Sequence, residues 1–258
     1  MISVSYGTRK YHGLKNAKHG AKRTIVVILR LQKTGLCKTL SRYKTQRLTR
    51  GCETMKEHWN KVYSSRDTTR LGWYEESPEK SLELIDKCNT NEHDKILDVG
   101  SGASTLIDNL ISRGYKNIIA TDISIEALEK LKQRLGDDAQ LVKWIVDDLA
   151  HPKHLNDLKD ITIWHDRAVL HFLTEESERQ TYLLTLQKIV KNKGYVIIAS
   201  FSLDGASKCS GLDVRRYDEN MLQEFLGNGF KLLEHCSYLY HMPSGDKRPY
   251  IYALFQRI

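Results

Sequence analysis

The sequence predicts an α/β protein with a doubly wound, mostly parallel seven-stranded sheet that ends in an antiparallel hairpin. Short apolar runs alternate with segments whose apolar residues recur at helical spacing, as in parallel sheets covered by helices on both faces. A glycine turn joins the first run to its helix. Two long segments of alternating polarity, separated by residues 242–246, predict the closing hairpin.

Each element follows from local spacing. Met55, Trp59, Val62 and Tyr63 share one face of a predicted helix, and Pro78 suits the first position of a second helix. The remaining predicted elements are strand 95–99, helix 104–113, strand 117–121, helix 124–135, strand 140–146, strand 160–165, helical spacing from 168, a long helix 174–190, strand 195–201, helix 217–226 and strands 230–241 and 248–256.

The positive charge of the chain is confined to its first residues. Residues 1–52 contain thirteen Lys or Arg and no Asp or Glu, so the net charge of +8 leaves −5 for the remainder. We therefore divide the chain into a basic leader, residues 1–53, and one domain, residues 54–258. The leader has the composition of a mitochondrial transit peptide, and the alternatives are a solvated arm, a non-native extension upstream of Met55, or a nucleic-acid tail.

Five cysteines without CxxC spacing indicate neither a disulfide framework nor a zinc site. His151 and His154 lack further ligands nearby in sequence, so no metal is expected. The longest apolar run of the leader, residues 25–29, is too short for a transmembrane helix. We expect a soluble intracellular protein, in the cytoplasm or, if the leader is a transit peptide, in mitochondria.

The glycine turn, residues 98–104 (DVGSGAS), brings backbone N–H groups and a helix N-terminus towards a ligand. The dinucleotide fingerprint needs a further glycine where Thr105 stands, which disfavours NAD and FAD. The segment resembles the first motif of class I S-adenosylmethionine (SAM)-dependent methyltransferases, an acidic residue followed by GxGxG, with Ser104 in place of the last glycine. The aromatic residues ahead of it resemble the N-terminal cap of small bacterial members and of some eukaryotic protein-lysine methyltransferases.

This resemblance implies that SAM is the cofactor, and it implies a role for each of several residues. Asp122, at the end of the second strand, would bind the ribose hydroxyls, although it could instead cap the next helix. Asp148, with Asp147 as the alternative acid, would bind the adenine amino group, and the carbonyl of His165 would line the cofactor. The cofactor residues expected in this way are Trp59, Trp73, Asp98, Gly100, Gly102, Asp122, Ile123, Asp148, Leu149 and His165.

The acceptor is expected beside the end of the fourth strand. Asp166 is the first candidate for a catalytic contact, with His171 beside it, and Arg167, Arg216 and Tyr217 are candidates for substrate binding. The alternatives are a local Asp166–Arg167 ion pair, a core histidine and solvated arginines.

The predicted function is methyl transfer to an O, N or S acceptor on a small molecule or a protein side chain, lysine included. Nucleic acid is disfavoured as the acceptor because the Asn/Asp-Pro-Pro-Tyr/Phe motif is absent after the fourth strand. The alternatives are a nucleotide-dependent oxidoreductase and a non-catalytic module that binds SAM or, through its leader, RNA.

Overall fold

The computed structural model describes residues 55–258, and the predicted leader of residues 1–53 lies outside the described residues. The helices are α1 (residues 55–65), α2 (Glu79–Asp86), α3 (Leu106–Ser112), α4 (Ile125–Leu135), α5 (Glu176–Ile189) and α6 (Glu219–Leu226). The strands are β1 (Lys95–Val99), β2 (Asn117–Asp122), β3 (Val142–Val146), β4 (Ile161–Arg167), β5 (Val190–Phe201), β6 (Lys208–Cys209), β7 (Leu212–Asp213), β8 (Phe230–His241) and β9 (Lys247–Arg257).

Seven strands form one sheet in the order β3-β2-β1-β4-β5-β9-β8. The pairs from β3 to β5 are parallel, whereas β9 is antiparallel to both β5 and β8. The predicted α/β class, the mostly parallel sheet and the C-terminal hairpin are confirmed. The winding direction reverses between β1 and β4, where ligands bind in sheets of this kind.

Helices cover both faces of the sheet. On one face, α5 and α6 pack through residues such as Leu186 and Leu222. On the other face, α2, α3 and α4 pack through residues such as Ile85, Ile107 and Leu131. The helix α1 belongs to a separate aromatic cluster above the glycine turn.

Local sequence explains several element ends. Ser124 caps α4 by accepting the N–H of Ala127 at 3.2 Å, and Asp218 caps α6 by accepting that of Met221 at 2.7 Å. The helix α5 begins with a capping box between Glu175 and Glu178.

Two local expectations were wrong. The strand β4 continues through Asp166 to Arg167, and the helical spacing after it forms only a 3₁₀ turn, Leu170–Phe172. The loop after β5 contains the short antiparallel pair β6 and β7, which the sequence did not reveal. Within the described part of the chain, no helix is both long and apolar enough to cross a bilayer.

Candidate active site

A cavity lies at the carboxyl ends of β1, β2, β3 and β4 and extends beneath α1 and the segment that follows it. All ten residues predicted to contact the cofactor line this one cavity. They are Trp59, Trp73, Asp98, Gly100, Gly102, Asp122, Ile123, Asp148, Leu149 and His165.

The glycine turn has left-handed backbone at both glycines, with φ of +60° at Gly100 and +55° at Gly102. A Cβ on Gly102 would lie 2.3 Å from the hydroxyl oxygen of Tyr63, and one on Gly100 would lie 2.2 Å from Cγ2 of Val169. Side chains at these positions are excluded both by conformation and by space. The turn therefore leaves bare backbone facing the cavity.

Asp122 fixes this turn from the neighbouring strand. Its Oδ2 accepts the backbone N–H of Gly102 at 2.9 Å, and its Oδ1 accepts that of Ser124 at 2.8 Å. Burial raises the pKa of Asp122 to about 6, against the opposing effect of these two hydrogen bonds. A carboxylate has about four acceptor positions, so Asp122 retains capacity to accept from a ligand hydroxyl.

Asp98 and His165 lie side by side on paired strands beneath the turn. Nδ1 of His165 is 2.7 Å from Oδ1 of Asp98, and Nε2 is 2.9 Å from the hydroxyl of Ser81 on α2. The second oxygen of Asp98, Oδ2, is buried and has no hydrogen-bond partner among the described residues. A buried carboxylate oxygen without a partner is costly, and a cationic ligand group would satisfy it.

The two adjacent acids after β3 have different environments. Asp147 accepts the backbone N–H groups of Lys153, His154 and Leu155, so its carboxylate organises the following loop. Both acids line the cavity, and Asp148 accepts one hydrogen bond from the loop backbone, that of the Ala150 N–H at 2.9 Å. The expected adenine contact therefore fits Asp148 better than the alternative, Asp147.

Aromatic rings form the roof of the cavity. The ring of Trp59 is centred 5.5 Å from that of Trp73 and 5.1 Å from that of Phe172, in edge-to-face arrangements. Nε1 of Trp73 donates to the hydroxyl of Tyr63 at 3.1 Å. Tyr63 and Phe172 were not predicted as site residues, although Tyr63 lies on the same apolar face of α1 as Trp59.

Arg167 occupies the other wall, where it joins three parts of the chain. Its Nε is 3.0 Å from Oε2 of Glu75 and donates to the hydroxyl of Tyr252 at 3.1 Å. Its guanidinium lies 5.0 Å from the ring centre of Tyr240 and 5.4 Å from that of Tyr250. Tyr240 in turn donates from its hydroxyl to a backbone carbonyl beside Glu75, that of Tyr74.

The cavity thus contains a carboxylate, Glu75, that the sequence did not single out. Its side chain is 9% exposed, and burial raises the pKa of its carboxyl while Arg167 opposes that shift. Glu75 is held in place by its backbone as well, because its carbonyl accepts the hydroxyl of Thr105 at 2.9 Å. Cys209, on the unpredicted strand β6, also lines this cavity.

Asp166 does not line the cavity, and this corrects the expectation that it contacts the acceptor. Because Asp166 lies within β4, alternation turns its side chain to the opposite layer from His165 and Arg167. Its fully buried carboxylate accepts the hydroxyl of Tyr182 at 2.8 Å and the N–H groups of Val169 and Leu170. Burial raises its pKa to about 6. The geometry assigns it to the turn after β4.

The other four residues predicted to contact the acceptor fall into two groups, those outside the cavity and those that line it. His171 is fully buried between Phe172 and Phe201, and burial with the nearby Arg167 lowers its pKa to about 3. Arg216 donates to two loop carbonyls, and Tyr217 is buried in the core. None of these three residues lines the cavity, whereas Arg167 does.

Comparison with known proteins agrees with this architecture. Residues 96–194 match the methyltransferase domain family. The chain is 24% identical over 159 residues to EEF1A lysine methyltransferase 2 of Danio rerio, with 56% of this chain and 67% of that protein covered. It is also 24% identical over 193 residues to the human protein of the same name, with 69% and 75% covered.

Solved structures show the same fold. A SAM-dependent methyltransferase from Anabaena variabilis superposes with a TM-score of 0.63 at 14% identity, covering 80% of this chain and 95% of that one. The N-methyltransferase NodS of Bradyrhizobium japonicum, in complex with S-adenosylhomocysteine, gives 0.58 at 13% identity, covering 78% and 98%.

The residues of the cavity also fit the cofactor on their own chemistry. The unpartnered oxygen of Asp98 suits the α-ammonium group of SAM, the bare turn suits its amino-acid end, and Asp122 suits its ribose. Motif, fold, cavity and relatives therefore converge: residues 96–194 match a methyltransferase domain, the sheet has the class I methyltransferase fold, and the chain is a SAM-dependent methyltransferase.

Proposed function

We propose that this enzyme methylates the side-chain amine of a lysine in a protein. The observation that carries the proposal is the buried carboxylate of Glu75, placed in the same cavity as the rings of Trp59, Trp73 and Phe172. Aromatic and apolar walls suit the aliphatic stem of a lysine, and a carboxylate beside them suits its amine. The curated relatives are named lysine methyltransferases, which supports the same acceptor.

The cofactor would occupy the opposite side of the cavity. We infer that Asp98 and the glycine turn hold its amino-acid end, that Asp122 holds the ribose, and that Asp148 and the N–H of Leu149 hold the adenine. When bound, SAM supplies a methyl group on a positively charged sulfur, which is open to attack by a lone pair.

A lysine amine carries its lone pair only after it loses a proton, since its usual pKa is about 10.4. Burial in the cavity would lower that pKa because it penalises the charged form, while the carboxylate of Glu75 would oppose the shift. Glu75 would accept a hydrogen bond from the amine and orient its lone pair, while Arg167 keeps the carboxylate in place. Exclusion of water and alignment of the reactants supply most of the acceleration in such a displacement.

One observation favours a second candidate, a small acceptor that bears a carboxylate. Nη2 of Arg167 is buried and has no hydrogen-bond partner among the described residues, and Arg167 lines the cavity. A guanidinium nitrogen of this kind suits an anionic oxygen.

A labelling experiment with the full chain separates the two candidates. Methyl-labelled SAM is supplied with purified eukaryotic elongation factor 1A or with a cell lysate, and products are divided into protein and small-molecule fractions. Label recovered as methylated lysine after protein hydrolysis supports the proposal. Label confined to small molecules would overturn it in favour of the second candidate, and label on another amino acid would contradict both.

Two matched variants control this experiment. Asp122→Asn changes a carboxylate inside the cavity, and Asp246→Asn changes an exposed one in the turn between β8 and β9. Transfer by this enzyme requires that labelling falls in the first variant and persists in the second.

A further inference from the structure

Asp98, His165 and Ser81 form a continuous hydrogen-bonded row from the cavity to α2. The distances are 2.7 Å from Asp98 Oδ1 to His165 Nδ1 and 2.9 Å from His165 Nε2 to the hydroxyl of Ser81. All three side chains are buried, with 3%, 2% and 1% of each residue exposed. An ionised carboxylate only accepts hydrogen bonds, so Nδ1 carries a hydrogen that it donates to Asp98.

The row has the order of a serine hydrolase triad, but its serine cannot act as a nucleophile. Ser81 lies on the far side of the imidazole from the cavity and is not among the residues that line it. Of the three residues, only Asp98 and His165 line the cavity. The free carboxylate oxygen of Asp98 is the polar atom through which the row can act on a ligand.

The remaining oxygen of Asp98 is where that effect would appear. Oδ1 is occupied by His165, and Oδ2 is buried without a partner among the described residues. The neighbouring hydroxyl of Ser101 does not take the place of His165, because it donates to the backbone carbonyl of Asp98 at 2.9 Å. Among the described residues, the imidazole is the group hydrogen-bonded to this carboxylate, and we expect it to set the orientation of the carboxylate plane.

We propose that His165 is a positioning residue for the cofactor, locked by Ser81 and acting through Asp98 on the α-ammonium group of SAM. With the imidazole fixed at both nitrogens, Asp98 presents one oxygen to the ligand in a single orientation. Residues that orient a ligating side chain in this way affect affinity without touching the ligand group themselves. The role concerns the cofactor alone, so it does not depend on which acceptor is methylated.

The test compares two ligands that differ in the amino-acid end. S-adenosylhomocysteine carries the α-ammonium group, and 5′-methylthioadenosine lacks it while keeping the adenine, ribose and sulfur. Calorimetric titration of the full chain should show that His165→Leu weakens binding of S-adenosylhomocysteine on the order of tenfold, the effect of losing one charge-assisted hydrogen bond. Binding of methylthioadenosine should change by less than about twofold.

Two further variants, one conservative at His165 and one at Ser81, test whether the hydrogen bonds of the imidazole cause the effect. His165→Asn keeps an N–H donor near the position of Nδ1, and we expect it to restore most of the affinity for S-adenosylhomocysteine. Ser81→Ala removes only the hydrogen bond between His165 and α2. It should weaken the binding of S-adenosylhomocysteine by a smaller factor and again leave the binding of methylthioadenosine nearly unchanged. This second variant also serves if His165→Leu does not fold, because alanine is well tolerated in a helix.

A double-mutant cycle identifies the path of the effect. If His165 acts through Asp98, adding His165→Leu to Asp98→Asn should cause little further loss for S-adenosylhomocysteine. Equal weakening of both ligands in the His165 and Ser81 variants would overturn the proposal, because it would indicate general damage to the fold. Additive losses in the cycle would overturn it as well.

Discussion

The carboxylate of Asp122 accepts the backbone N–H of Gly102 at 2.9 Å, across twenty residues of sequence. Asp122 and the glycine turn are therefore one unit, in which ionisation of the carboxyl group affects the position of the turn. This relationship leads to the first two predictions.

Cofactor affinity should depend on the ionisation of Asp122. Burial raises its pKa to about 6, and only the ionised form accepts two hydroxyl hydrogens in addition to its backbone bonds. We expect the Kd for S-adenosylhomocysteine to rise on the order of tenfold as the pH falls from 7.5 to 5. Titration calorimetry across this range should show the step in wild type and in Asp166→Asn, and no step in Asp122→Asn.

Alanine at Gly102 should abolish most cofactor binding. The backbone there has φ +55°, and the added Cβ would lie 2.3 Å from the hydroxyl oxygen of Tyr63. Gly227 is a matched control, since its φ is +71° and a Cβ there meets nothing within 4 Å. Both variants should lose roughly 1 to 3 kcal/mol of unfolding free energy from backbone strain, and Gly102→Ala should lose more because of its contact with Tyr63. Only Gly102→Ala should also lose at least roughly tenfold in affinity for S-adenosylhomocysteine. Equal affinities in the two variants would contradict a role of the glycine turn in cofactor binding.

Asp166 should contribute to stability and not to acceptor binding. Asp166→Asn replaces a carboxyl group that accepts three hydrogen bonds by an amide with a single acceptor oxygen, and we expect a loss of about 2 kcal/mol in unfolding free energy. Denaturant titration measures this loss, while the KM for the acceptor should stay within about twofold of wild type. A raised KM with unchanged stability would restore the catalytic role expected from sequence.

The same residue should shape the pH dependence of stability. Its folded pKa of about 6 lies above the ordinary value of 3.8, so folding favours the protonated form. The contribution is fully present below pH 3.8 and is lost as the pH rises through about 6. In Asp166→Asn this part of the decline should disappear, whereas the part due to Asp122 should persist.

Glu75 should determine how well the protein acceptor is used. Glu75→Gln keeps the shape of the side chain but loses the charge that would orient the amine, so kcat/KM for the acceptor should fall on the order of tenfold. The Kd for S-adenosylhomocysteine should change by less than about twofold. Glu76→Gln is the matched control, because the neighbouring carboxylate is exposed. A loss confined to cofactor affinity would move Glu75 to the cofactor side of the site.

Residues near strand ends were predictable from the sequence because strand, turn and helix follow one another along the chain. Gly100, Asp122 and Asp148 each stand within two residues of the end of an apolar run. Parallel strands bring such positions to one edge of the sheet, whatever the loops between them do. The cofactor half of the candidate site depends on little else.

The acceptor half depends on features that local pattern does not contain. The sequence predicts that β4 ends at His165, which leaves Asp166 in the following loop and free to face the cavity. In the structure β4 continues through Asp166, and the alternation of side chains along the strand turns Asp166 away from the cavity. Glu75 enters the site because its segment docks against Arg167, and Tyr63 enters because α1 lies over the turn. Docking of this kind is decided by tertiary packing, which a single sequence shows only after the fold is known.

The hydroxyl of Tyr240 on β8 bonds to the carbonyl of Tyr74, and the ring of Tyr250 on β9 faces Arg167. The wall beside Glu75 is therefore completed by the two elements that leave the ribosome after all the other described ones. Because a domain generally folds as a unit, this wall is complete only after β8 and β9 have emerged and paired with β5. A chain still on the ribosome without these two strands would therefore lack the wall beside Glu75.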